Sequence, residues 1–218
     1  MQKTNLQLIA LSMVFLFLSC SKDDTLRGSG NSISESRALV SFTKVYNPTS
    51  VNIVILEGAT QQVELTADDN VISSINTIVE EGTLKIDLGK RNYVDAMMSV
   101  SITIPNLEEL KNTGSGNMTA SGFDEVTNLV IGNEGSGTIT LDGSGTALSI
   151  KNSGSGSYQG FGFAVNSCTV SNSGSGNCEI SCVDTLSGSN SGSGSVFYKG
   201  TATVAITSTG SGEVVDSN

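Results

Sequence analysis

Apolar and polar residues alternate with a period of two on both sides of a Gly-Ser-Gly triplet that recurs through the second half of the chain. The triplets begin at Gly114, Gly135, Gly154, Gly174, Gly192 and Gly210, in steps of 21, 19, 20, 18 and 18 residues. Two residues before the first five triplets stand Asn112, Asn133, Asn152, Asn172 and Asn190. Apolar side chains occupy most of the positions two residues before the asparagine and two residues after the triplet. The flanks align whenever the triplets are aligned, which identifies a structural repeat.

This repeat predicts an all-β fold, a parallel β-helix with regular coils of about 18–21 residues. Period-two alternation is typical of a strand with one buried face, and one such unit cannot bury its apolar face alone. Repeats that bend at the same place stack strand upon strand, roughly 4.8 Å apart. We therefore expect Ile131, Ile150 and Val170 to be neighbours in consecutive layers. The glycines would supply either a positive φ or a close approach of the backbone, and the asparagines would form a ladder of amide hydrogen bonds.

The first half of the domain lacks the triplet but keeps the alternation, so we expect wider and less regular coils there. The candidate strands are 38–45, 51–56, 62–66, 77–80, 83–87 and 98–104. Residues 87–96 are the least patterned and predict a loop. No linker separates the two halves, which predicts one continuous domain over residues 37–218.

The start of the chain has the features of a lipoprotein signal. Residues 1–19 combine Lys3 with a short apolar run, and the run ends at Cys20, where lipidation would anchor the protein to a bilayer. The alternative is an ordinary signal followed by a stray cysteine. The next residues, Ser21, Lys22, Asp23 and Asp24, are similar to the acidic signal that sends some lipoproteins to the cell surface. The alternatives are a solvated tether and a lipoprotein that faces the periplasm. Residues 20–36 are Gly/Ser-rich and predict a flexible tether.

The charge and the missing residue types exclude several functions. The net charge is −10, and removal of residues 1–19 takes away only Lys3 among the charged residues, which leaves −11. Such a balance disfavours nucleic-acid binding, which needs basic patches. The chain has no His, which rules out a Ser-His-Asp system and His-ligated metals. Acidic pairs such as Asp68-Asp69 lie at predicted turns or strand ends, where solvation is the simplest role. We therefore expect no catalytic residues, no metal and no cofactor.

Three cysteines remain beyond Cys20. Cys178 occupies an inward apolar column, and Cys168 also falls in an apolar column. Packing as small buried hydrophobes is the favoured interpretation. A disulfide between Cys168 and Cys182 is the alternative, because an exported protein folds in an oxidising compartment.

Blocks of the first half, taken in order, give a more specific resemblance. They are Ser50–Gly58, Val63–Val71, Glu81–Ile86, Val100–Leu107 and Lys111–Asn117. In this order they resemble the family described as putative auto-transporter adhesin, head GIN domain, over about residues 37–215. The resemblance implies an exported protein with a right-handed parallel β-helix.

These observations favour a non-catalytic, adhesin-like surface module that presents polar β-helix walls to a glycan or a protein. A polysaccharide lyase or hydrolase on a β-helix scaffold is the first alternative. The second is a structural envelope component that self-associates through its solenoid ends, where strand edges would be unpaired.

Overall fold

Stacked parallel strands dominate the computed structural model, which describes residues 24–218 and forms a β-solenoid of about five turns. The predicted signal peptide 1–19, the lipidation site Cys20 and residues 21–23 of the export-type motif lie outside the described residues. The strands are β1 (Thr25–Arg27), β2 (Ser32–Ser36), β3 (Lys44–Asn47), β4 (Asn52–Glu57), β5 (Gln62–Asp68), β6 (Ile75–Glu80), β7 (Thr83–Leu88), β8 (Asn92–Val94), β9 (Met98–Ile104), β10 (Glu109–Asn112), β11 (Met118–Asn133), β12 (Ile139–Asn152), β13 (Tyr158–Asn172), β14 (Cys178–Asn190), β15 (Val196–Lys199), β16 (Thr203–Ser208) and β17 (Val214–Asp216).

The regular coils have the predicted register. Ile131 pairs with Ile150 and Ile150 with Val170 in consecutive parallel ladders, so each repeat makes one lap around a common axis. Within a coil, one sheet ends at the asparagine, the Gly-Ser-Gly triplet makes the turn, and the next sheet begins two residues later. Breaks in register, as between Ala120 and Phe123, mark the corner that leads back to the first sheet.

The irregularity predicted for the first half takes the form of antiparallel strands. β3 and β4 extend the parallel stack, pairing with β10 and β11 on one side and with β7 and β9 on the other. Beyond them the chain reverses, so that β5 is antiparallel to β9 and β6 is antiparallel to β7. The result is a cap that covers the first parallel layer. β8, inside the predicted loop 87–96, pairs with β1.

The flexible tether predicted over residues 20–36 is corrected for residues 25–36. β1 pairs with β8, and β2 adds an antiparallel strand to β5. The Gly/Ser-rich composition of this segment was misleading, because its polar groups bond to the domain. Asp68 is 2% exposed and accepts hydrogen bonds from the backbone N–H groups of Gly30 (3.1 Å) and Met97 (2.9 Å).

Inward-facing side chains of every coil fill the axis of the solenoid. The largest fully buried ones in the regular coils are Phe123, Tyr158 and Phe163. Each buried side chain of this size contributes about 1.5–3 kcal/mol through removal from water. The outward-facing positions of the same strands are left to polar residues and to the surface features described next.

Candidate binding surface

The predicted asparagine ladder exists and lies inside the solenoid, at the turn. Each of the five asparagines is fully buried. Nδ2 of Asn133 donates to the carbonyl oxygen of Gly137 at 2.9 Å, which closes the sharp turn from within. Amide-to-amide bonds connect the last three members, from Asn152 to Asn172 and from Asn172 to Asn190, each at 3.1 Å. The ladder therefore shapes the turn and is not available to a ligand.

Asn47 is a further member of the ladder that the sequence analysis missed. It is fully buried, pairs with Asn112 in the parallel register, and donates to the carbonyl oxygen of Val51 at 2.8 Å. The segment that follows it is Pro-Thr-Ser and not Gly-Ser-Gly, which hid the equivalence. The available signal was the apolar-x-Asn pattern of Val45 and Asn47, which matches that of Ile131 and Asn133.

The triplet glycines are required by close approach and not by a positive φ. Positive φ values occur at other glycines, such as Gly143 and Gly188. A Cβ added to Gly154 would overlap the carbonyl oxygen of Gly135, and a Cβ added to Gly174 would overlap that of Gly154. The same clash with the coil beneath recurs along the column. Consecutive turns thus stack backbone against backbone.

A second ladder, also missed from the sequence, runs along the outside, at the residue directly after the triplet. The backbone N–H of Thr138 donates to Oδ1 of Asn117 at 2.8 Å, and that of Ser195 donates to Oδ1 of Asn177 at 2.9 Å. Ser157 contributes its hydroxyl oxygen in the same way. The residues at this position vary among Asn, Ser, Thr and Glu, so no single letter revealed it.

The serines of the triplets line a shallow polar trough of about 710 Å³ along the turn edge. Ser136, Ser155 and Ser175 are exposed and line the trough at intervals of one coil. The trough offers hydroxyl groups to solvent but no charged group except Glu134 at one end.

The three cysteines of the described chain are free and buried, so the alternative of a Cys168–Cys182 disulfide is not formed in this structure. Burial raises the pKa of the Cys178 thiol to about 12 and raises that of Cys168 further. Such thiols stay protonated at neutral pH and are poor nucleophiles. Within residues 24–218, no group of three or more His, Cys, Asp or Glu side chains is arranged to hold a metal ion.

The acidic pair Asp68-Asp69 fixes the N-terminal segment. Ser29 Oγ donates to Asp69 at 2.6 Å and Asn31 Nδ2 donates to it at 2.9 Å, and these hydrogen bonds lower the pKa of the Asp69 carboxyl. With Asp68 engaged by backbone N–H groups, both carboxylates are occupied in holding residues 28–31. Asp24 of the export-type motif lies beside this segment and pairs with Arg91 at 3.5 Å.

On the outer walls, equivalent side chains of consecutive coils lie next to each other and form rows. Thr119 pairs with Thr140, and Thr140 with Gln159, so one outward row runs along the axis in steps of one strand spacing. Among the described residues no helix has the length and apolar character needed to cross a membrane.

Solved structures with the same architecture include proteins from Bacteroides and Parabacteroides species. A protein from Bacteroides fragilis described as a putative adhesin superposes with a TM-score of 0.74 at 19% identity, over 88% of this chain and 99% of that one. A putative adhesin from Parabacteroides merdae gives 0.52 at 20% identity, over 89% and 100%. A putative lipid binding protein from Parabacteroides distasonis gives 0.55 at 20% identity, over 89% and 100%. At these identities the likeness shows the fold.

Among curated proteins none matches the chain in sequence. The family model described as putative auto-transporter adhesin, head GIN domain, matches residues 41–202, which include β3 to β15 and the first five triplets. The chain therefore belongs to the putative auto-transporter adhesin, head GIN domain, family.

Proposed function

We propose that this protein is a cell-envelope lipoprotein, anchored through Cys20, whose solenoid is a non-catalytic binding module for an extended glycan or surface protein. The family and the adhesin descriptions of its structural neighbours favour a surface binding role. The observation that carries the proposal is the outward row Thr119, Thr140 and Gln159, which repeats hydrogen-bonding side chains at one strand spacing along a flat wall. An extended polymer can contact many such positions at once, and weak contacts then add up.

Two carboxylates and the cysteine thiols, which are among the groups that could perform chemistry, have structural roles instead. Asp68 and Asp69 hold the N-terminal segment, and the buried thiols are protonated at neutral pH. This supports a binding role over the lyase or hydrolase alternative, which needs a pair of free carboxylates across a bound sugar.

The ligand would bind on the outer surface. The interior of the coils is occupied by side chains such as Tyr158 and Phe163, both fully buried. The Parabacteroides distasonis neighbour is described as lipid binding. A lipid bound by the present chain would likewise have to lie outside the packed axis.

The anchor would hold the domain near the bilayer. The first strand begins at Thr25, so only residues 21–24 separate it from Cys20. Extended chain spans at most about 3.6 Å per residue, which limits this connection to roughly 18 Å. A connection this short would hold the antiparallel cap towards the membrane and the regular coils away from it.

Two measurements test the proposal on the exported protein. A glycan array combined with a reducing-end assay separates binding from cleavage: binding without new ends supports the proposal, and released ends overturn it. Protease shaving of intact cells tests display, with the Cys20→Ser variant as the unanchored control. Loss of the protein without lysis supports surface exposure, and full protection moves it to the periplasmic side.

A further inference from the structure

One outward row on the sheet that bears the asparagines is basic and aromatic. Lys85 pairs with Tyr46, Tyr46 with Lys111, Lys111 with Gly132, and Gly132 with Lys151, in consecutive parallel strands. These residues alternate with the buried positions of the same strands, so they face solvent. We call these five residues the basic row.

The basic row stands out against the charge of the protein. The net charge is −10, and after Arg91 the only basic residues are Lys111, Lys151 and Lys199. Two of these three lie in the row. At the end where the row meets the cap, Lys85, Lys90 and Arg91 line a cleft of about 370 Å³ together with Tyr46.

The spacing of the charges is regular. Lys85, Lys111 and Lys151 are each separated by two strand steps, which corresponds to roughly 9.6 Å. The positions between them hold no charge. One is Tyr46, and the other is Gly132, where an added Cβ would meet only the Lys111 side chain, at 3.7 Å.

Tyr46 is held in place as a platform. Its hydroxyl is 3.1 Å from Oγ1 of Thr113, and the Lys111 Nζ lies 5.6 Å from the ring centroid. Aromatic faces pack well against the C–H face of a sugar ring. At the other uncharged position, Gly132 leaves a notch beside Val130, whose side chain is 45% exposed.

Carboxylates close to the row limit what it can accept. Glu134 lies 3.5 Å from the Lys111 Nζ, and Asp87 lines the same cleft as Lys85. A polymer with a charge on every unit would bring some of its anions against these groups, and such repulsion is a common source of specificity. A polymer with widely spaced anions would bring fewer of them against these carboxylates while still meeting the lysines.

From this arrangement we propose that the basic row binds an extended acidic polysaccharide that carries one carboxylate for every two sugars and runs along the solenoid axis. A sugar in an extended chain advances by about one strand spacing. Acidic sugars would lie on Lys85, Lys111 and Lys151, and the neutral sugars between them on Tyr46 and in the Gly132 notch. The inference rests on the proposed binding function; it names a ligand class and places that ligand on the basic row instead of on the row of Thr119, Thr140 and Gln159.

The test uses the full chain, exported and purified in detergent, with hyaluronan oligosaccharides as the probe because they carry one carboxylate per disaccharide. Polygalacturonate oligosaccharides, charged on every sugar, and a neutral β-glucan are the comparison ligands. We expect hyaluronan to bind more tightly than either, with an affinity that falls as salt rises, since surface charges are screened.

Variants locate the site. The double variant Lys111→Gln/Lys151→Gln should weaken hyaluronan binding by about tenfold or more, which corresponds to about 0.7 kcal/mol for each lysine. Gly132→Glu should abolish binding by filling the notch with a like charge. Lys199→Gln is the matched control, because Lys199 lies on β15 over the Phe161 ring, outside the row. Far-UV circular dichroism of each variant verifies that the exposed substitutions leave the solenoid folded.

Each other outcome overturns the inference. Equal loss in Lys199→Gln would mean that binding is non-specific, and tighter binding of polygalacturonate would refute the spacing argument. If another glycan binds and substitutions in the basic row leave its affinity unchanged, this inference is refuted but the proposed function is not. If neither a glycan nor a protein ligand binds the folded chain, both fail.

Discussion

The replacement Gly154→Ala tests the backbone stacking on which the regular coils depend. The added methyl group would overlap the carbonyl oxygen of Gly135, a rigid backbone atom, so the two turns must move apart. Overpacking of this kind costs about 1–3 kcal/mol. The same movement lengthens the hydrogen bonds from Gly154 N–H to Asn133 (3.2 Å) and from Gly156 N–H to Gly135 (3.0 Å), for about 1 kcal/mol each.

We therefore expect Gly154→Ala to lower the free energy of unfolding by about 3–5 kcal/mol. Urea denaturation followed by circular dichroism measures the change, and an unaltered m-value would show that the unfolded state is unaffected. Ser155→Ala, at an exposed position in the same triplet, is the matched control and should change stability by less than about 0.5 kcal/mol.

The position of the glycine in the stack provides a second comparison. Gly210 would also clash with the coil beneath it, at Gly192, but no described coil stacks upon Gly210. The last coil can shift without disturbing a neighbour, so Gly210→Ala should cost about half as much as Gly154→Ala. If Gly154→Ala proved no more destabilising than Ser155→Ala, the stacking argument would be refuted.

Three further predictions concern the inner ladder, the thiols and the N-terminal segment. Asn172→Ala should lower the free energy of unfolding by about 2–4 kcal/mol in urea denaturation, because it removes the hydrogen bonds to the coils before and after it and leaves buried partners unsatisfied. Ser171 is exposed, so Ser171→Ala should leave the free energy of unfolding nearly unchanged. Burial raises the pKa of the Cys178 thiol from 9.0 to about 12, so this thiol ionises first in the unfolded chain and the free energy of unfolding should fall as pH rises from about 9 to 12. Alkaline titration of the Cys178→Val variant should show a shallower fall in the free energy of unfolding. A chain that begins at residue 37 lacks β1 and β2 and exposes the β5 edge, so thermal unfolding and light scattering should show lower stability and more aggregation than in a chain that begins at residue 21.

Each of these expectations has an outcome that contradicts it. If Ser171→Ala were as unstable as Asn172→Ala, the loss of stability would come from any change to this strand and not from the broken ladder. Identical alkaline profiles with and without the Cys178 thiol would show that its burial does not influence stability. Equal melting temperatures of the chains that begin at residues 21 and 37 would mean that residues 25–36 behave as a tether.

The parts of the fold that repeat could be predicted from the sequence. The column of Asn133, Asn152 and Asn172 lies at a fixed distance from each triplet, and this fixed phase gave the register of the parallel ladders. The phase exists because identical turns must stack directly upon each other. The reason for glycine had to come from the structure, since φ and close approach favour the same residue, and so did the outer ladder directly after the triplets.

The antiparallel cap could not be predicted, because period-two alternation carries no information on strand direction. β5 and β9 show the same inward pattern whether they run parallel or antiparallel. Residues 25–36 were misassigned for a different reason. Their partners, such as Asp68, lie far along the chain, and a polar segment with distant partners has the same composition as a linker.

The basic row was also invisible in the sequence. Lys85, Tyr46 and Lys111 are neighbours in space, but chain order places Tyr46 first and separates Lys85 from Lys111 by the whole of β8 and β9. The folding of β3 between β7 and β10 brings the three together. Surfaces of this kind require the strand order, which local pattern does not supply.

Unequal coil lengths raise the question of how outward rows remain in phase. The longest step between triplets is 21 residues and the shortest is 18, a difference of three. The corner from Ala120 to Leu129 is nine residues and that from Ile180 to Leu186 is six, so the corner accounts for the whole difference. The two flat sheets thus keep a constant length in every coil. A row such as Gly132 and Lys151 stays aligned because the triplets and the inner ladder fix the turn, while insertions accumulate at the other corner, outside the two sheets that carry the outward rows.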